Sequence, residues 1–142
     1  MAHAIHHRYS EAIHPLHAVL LAGSVPLFLG AALSDLAYAR TYEIQWTNFA
    51  AWFIVGGLVF AGVALVFALA DLARAHRRAA GIGRYAVLLL AAWVTGFINA
   101  LVHARDAWAA MPEGLVLSLL ALVLAGAATW VGFARARTGV AR

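Results

Sequence analysis

From Leu16 to Ser34 the chain carries no arginine and no acidic residue, within a longer apolar run, Ile13 to Asp35 (IHPLHAVLLAGSVPLFLGAALSD). Hydrocarbon offers no hydrogen-bond partner to a bare backbone, so a run like this crosses a membrane only as a helix, and about twenty residues suffice to do so. An ionisable group stands near each end of it. On a helix, His14, His17, Leu21, Ser24, Phe28, Ala31 and Asp35 share one face, because residues three and four apart are neighbours. Ionisable residues in a spanning helix face protein or a water-filled cavity, so this stripe is expected to face the interior of a bundle.

Three further segments have the same character. The four spans lie at roughly 15–38, 48–72, 85–104 and 114–134, each near the twenty residues that a crossing needs. A composition of 65% hydrophobic and 11% charged residues, with a mean hydropathy of +0.85, lies far from that of soluble domains. The expected fold is all-α, an integral membrane four-helix bundle forming one transmembrane domain over residues 1–142, with no hydrophilic run long enough for an extramembrane domain. Four crossings place both termini on one side. That side is expected to be cytoplasmic, because Arg8, Arg74, Arg77, Arg78, Arg84, Arg135, Arg137 and Arg142 fall there and only Arg40 and Arg105 fall opposite. The N-terminal stretch lacks the pattern of a cleaved signal peptide.

All ten basic residues are arginines and the formal charge is +4. They sit beside apolar spans rather than among exposed aromatics, which argues against a nucleic-acid partner and for the lipid bilayer. Absence of cysteine excludes disulfides, thiolate metal sites and haem attached through a cysteine motif.

His3, His6 and His7 lie in the lead before the first span, where a loose end preorganises no metal site. Pro15 fits the first helical position. Pro26 removes one backbone hydrogen bond and leaves the carbonyl of Ala22 without its usual partner, a gap that Ser24 is placed to fill. Tyr38 to Thr47 is expected as an outer loop with aromatic anchors at headgroup depth. The second span aligns Gly57, Ala61, Ala64, Ala68 and Asp71, and the fourth aligns Ser118, Ala121, Ala125, Ala128, Thr129 and Gly132, two small-residue seams for close helix packing. Nothing on the fourth span argues for chemistry. The third aligns Ala92, Gly96, Asn99 and His103, and Asn99 is expected to hydrogen-bond across an interface.

The sites follow from where the ionisable groups emerge. On the cytoplasmic side His14, His17 and His76 are candidate cofactor ligands, with His17 and His76 the pair for a metal or a b-type haem; the bland alternative makes His76 part of a topology-setting loop. His17 and His103 sit near opposite faces, about 30 Å apart, too far to share one haem. On the outer side Asp35 and His103 are expected to pair, and with Trp46 and Trp108 they would suit a quinone.

The His14-Pro15-Leu16-His17 opening and the closing Asp35, followed by spans containing tryptophan and glycine, resemble an uncharacterised family of small bacterial membrane proteins, domain of unknown function 2231. The resemblance covers almost the whole chain. Many members carry a second histidine where this chain has Val19; here it is His17. Members occur beside or fused to periplasmic redox modules of cytochrome c-like, Rieske-like or sugar-dehydrogenase type. The resemblance therefore implies an inner-membrane, multi-pass subunit for electron transfer or quinone chemistry with a periplasmic redox partner. Two other functions stay open: a non-catalytic anchor or scaffold that holds a periplasmic enzyme at the membrane, and a small proton or solute conductor; under any of them a homo-oligomer also stays open as a partner state. The last lacks the inverted repeat or broken helices of transporters. Any soluble activity belongs to a partner.

Overall fold

The computed structural model describes residues 13–74 and 81–140, with the side chains of 107, 108 and 136–140 left aside. It is all-helical, with α1 Pro15–Thr41, α2 Ile44–Arg74, α3 Ile82–His103 and α4 Glu113–Val140, and a 3-10 turn Ala107–Ala110 before α4. Four of these helices are long and apolar enough to cross a membrane.

α1 begins where the chain can satisfy a helix start without spending a donor. Pro15 takes the first helical position and the His14 ring accepts from the Leu16 N–H at 3.3 Å. Pro26 is accommodated within the helix, and its ring faces outward. The Ser24 hydroxyl does not turn to the Ala22 carbonyl as its spacing suggested; it donates to Leu21 O at 2.7 Å, and Thr129 of α4 reaches the same carbonyl at 3.4 Å. Inward-facing Ser24 meets an inward-facing carbonyl, whereas Ala22 lies on the exposed side.

The expected Tyr38–Thr47 loop shrinks to Tyr42 and Glu43. Tyr42 ends α1 in the left-handed region (φ 59°), its N–H donating to Tyr38 O at 2.8 Å, a helix stop that more often uses glycine. Thr41 Oγ1 donates to Ala37 O at 2.8 Å and accepts from Glu43 N–H at 3.3 Å. Tyr38 is buried and Tyr42 exposed.

The helices run up and down in a ring, α1 against α2, α2 against α3, α3 against α4, and α4 back against α1. Large apolar side chains such as Trp52, Val66, Val123 and Trp130 point outward, while Ala61, Ala64, Ala68, Ala92, Ala121, Ala125 and Ala128 fill the interior. This arrangement suits lipid, where small residues let backbones approach and no hydrophobic force favours hiding large ones. Asp71 leaves the α2 seam; its side chain is exposed and faces Arg74 at 3.5 Å.

α1 and α3 meet across the diagonal of the ring at one constant offset. His17 meets Tyr85, Phe28 meets Gly96 and Asp35 meets His103, each pair 68 residues apart. The Phe28 ring lies so close to α2 and α3 that a Cβ at Gly57 would stand 2.8 Å from it and one at Gly96 3.0 Å. Only glycine at these two positions lets the ring fill the middle of the bundle.

Candidate functional site

Asp35 and His103 close on each other in the interior near the α1–α2 turn. His103 Nε2 lies 2.8 Å from Asp35 Oδ1, with the two side chains 1% and 0% exposed. The inward stripe of α1 delivers the carboxylate and the last residue of α3 delivers the imidazole. α4 supplies the third member, Ser118, whose hydroxyl donates to Asp35 Oδ2 at 2.6 Å and accepts from Asn99 Nδ2 at 2.7 Å. The remaining ring nitrogen of His103, Nδ1, is 3.0 Å from the backbone oxygen of Asn99.

These partners decide the protonation of the pair. A carbonyl oxygen only accepts, so Nδ1 carries a hydrogen. A second hydrogen must then lie between Nε2 and Oδ1, since two bare lone pairs would repel at that distance. Whether nitrogen or oxygen holds it, the pair has no net charge, which is what an ionisable pair enclosed in an apolar bundle requires. The arrangement is a buried imidazole–carboxylate pair with one shared hydrogen, bonded to a hydroxyl and through it to an amide.

Gly114 of α4 completes the enclosure. A Cβ there would lie 2.7 Å from His103 Cε1, so the imidazole is seated directly on the α4 backbone.

A second polar layer stands at the opposite end of α1 and α3. His17 Nε2 is 2.7 Å from the Tyr85 hydroxyl, the His17 ring stacks on Phe67 at 5.3 Å, and Arg135 lies over the Tyr85 ring at 5.8 Å. His14, at the mouth of the stripe, is exposed and stacks on the same Phe67 at 6.1 Å. With 18 positions between His17 and Asp35, the two layers lie about 27 Å apart along the helix.

Of the residues singled out by sequence, Asp35 and His103 come together, and Asn99 makes the cross-helix bond expected of it. His17 is buried but bonded to Tyr85 rather than to another histidine. His76, its expected metal partner, lies outside the described residues, as do His3, His6 and His7. Among the described residues no cluster of three or more histidine and acidic groups could hold a metal. Trp46 packs edge-on to Phe49 at 5.8 Å, and the Trp108 side chain is outside the described set. Sequence reasoning passed over Ser118, Tyr85 and Phe67. The signal for Ser118 was depth: it is the polar residue on the inward seam of α4 nearest the Asp35 end.

A b-type haem on His103 does not fit the described interior, and the expected His17–His76 pair lies partly outside the described residues. Axial ligation needs an imidazole nitrogen with an open lone pair and room for the macrocycle. Both nitrogens of His103 are engaged, Nε2 of His17 is held by Tyr85, and Phe28 occupies the middle of the bundle against Gly57 and Gly96.

The four apolar helices and the ionisable pair sealed among them define a small multi-span membrane protein with a polar core at one end. The chain belongs to the family described as "Predicted membrane protein (DUF2231)", whose model matches residues 13–140. No curated protein and no solved structure matches it.

Proposed function

We propose that this chain is a small inner-membrane subunit of a quinone-linked electron-transfer system, with a periplasmic redox protein as its partner. In this reading the Asp35–His103 pair relays the proton that accompanies electron transfer, returning to its neutral state after each passage. The observation that carries it is the enclosed pair itself, His103 Nε2 standing 2.8 Å from Asp35 Oδ1 in the bundle interior. Redox steps on a quinone move protons with electrons, and an imidazole beside a carboxylate can pass one on. The arginine distribution supports cytoplasmic termini, which puts the pair at the periplasmic end, beside the proposed partner. A quinone ring does not reach the sealed pair.

The runner-up is a membrane anchor in which the pair is only a brace, and the full engagement of both carboxylate oxygens and both ring nitrogens favours it. Purification through a tag on this chain, followed by turnover measurements on whatever redox protein accompanies it, separates the two. The electron-transfer reading expects the folded, partner-bound fraction of Asp35→Asn to show lowered quinone-linked turnover per bound partner. Unchanged turnover with the partner retained assigns the chain to anchoring, and purification without any redox protein sinks both.

A further inference from the structure

Two oxygens at the Asp35 end have no hydrogen-bond partner among the described residues, Asn99 Oδ1 and Thr47 Oγ1. Both are enclosed, Asn99 being 0% and Thr47 6% exposed. Turning the Asn99 amide over does not resolve its case. Ser118 has one hydroxyl hydrogen, and it is spent on Asp35 Oδ2. A carbonyl turned toward Ser118 would face an oxygen with no hydrogen between them, and the amide nitrogen would become the orphan. One end of the Asn99 amide therefore needs a partner that the described chain does not supply. In hydrocarbon, bulk water is not there to provide it.

The two oxygens bracket the proton-holding pair. Asn99 precedes His103 by one turn of α3 and so lies deeper. On the other side, Gly30 of α1 packs on Phe53 of α2, and Gly23 on Phe60, so the two helices run antiparallel in a fixed register. Thr47, six positions before Phe53, is then level with Leu36 of α1, one position past Asp35 toward the α1–α2 turn. The order from the surface inward is Thr47, the Asp35–His103 pair, Asn99.

We propose that this end of the bundle binds internal water at Thr47 Oγ1 and at Asn99 Oδ1, and that the Thr47 water is the route by which the sealed pair exchanges its proton with the surface. The ligand is water rather than an ion because the pair is already neutral and what Asn99 Oδ1 lacks is a small donor. Thr47, whose hydroxyl has no partner among the described residues, becomes the outer step of a polar file. The inference deepens the proton-exchange reading by naming how the proton reaches an enclosed site.

The test uses the isolated full chain with ring-labelled histidine and follows exchange of the His103 ring N–H with deuterated solvent by NMR. Thr47→Val keeps the shape and removes the hydroxyl, and is expected to slow exchange several-fold; Thr47→Ser is expected to keep the wild-type rate. An unchanged rate in a folded Thr47→Val protein overturns the route. If that variant does not fold, experimental density for the wild-type protein decides. A solvent peak within hydrogen-bond distance of each oxygen supports the proposal, and protein atoms filling both positions overturn it. Because no redox partner takes part, slowed exchange in a protein without quinone-linked turnover would uphold the water sites while rejecting the electron-transfer function.

Discussion

Replacing Asp35 by asparagine turns one of the two oxygens that hold His103 and Ser118 into an amide donor, inside a bundle with no bulk water to take its place. Breaking a buried pair by removing one partner costs about 3–5 kcal/mol. Asp35→Asn and His103→Ala should therefore each destabilise strongly, and the double variant should lose less than the sum, with a coupling of about 0.5–3 kcal/mol. Strictly additive losses in detergent unfolding would mean that the contact carries no energy. Gly114→Ala tests the seat of the imidazole: a Cβ 2.7 Å from His103 Cε1 must displace the ring. A loss of about 1–3 kcal/mol with a shifted His103 ring resonance is expected, and an unperturbed resonance argues against the packing described. Asp35 and His103 were readable from sequence because each lies on the inward stripe of its helix and both emerge at one end. Ser118 was not, since a hydroxyl among alanines and glycines looks like packing until it is known which helix faces it. His14 shares the spacing of the stripe but caps α1, and a cap lies outside the helical surface that spacing describes.

Helix by helix, the spacing of small residues proved a better guide than the polar residues at the span ends. Gly57, Ala61, Ala64 and Ala68 on α2, and Ala121, Ala125, Ala128 and Gly132 on α4, all lie inside, because only small side chains let neighbouring backbones close up in lipid. Ala64→Leu or Ala125→Leu should overpack the interior by about 1–3 kcal/mol, read as a lowered thermal transition in detergent. A transition unmoved by either change would place those faces outside the interface. Asp71 continued the α2 spacing yet turned to solvent, since a carboxylate at a helix end reaches water more cheaply than a partner. The α1–α2 connection was misjudged for a related reason. Aromatic and polar residues at headgroup depth resemble a loop in sequence, but their backbones stay helical, and the stop falls on a left-handed tyrosine that no turn signal announces.

For the molecule in its membrane, the arginine split predicts that a reporter active only outside the cytoplasm stays silent when fused after Arg142 and signals when placed at Tyr42–Glu43. The reverse pattern would turn the protein over and put the Asp35 end on the cytoplasmic face. Either way round, the constant offset between α1 and α3 links the two faces. A helix advances about 1.5 Å and turns about 100° per residue, so slipping α1 by a single step past α3 would unseat His17 from Tyr85, Phe28 from its glycine slot and Asp35 from His103 together. The diagonal behaves as a bolt with a catch at each end. Neither catch can be released by sliding without drawing the other, and a disturbance that moves α1 at one surface of the bilayer is felt at the opposite surface in the same stroke.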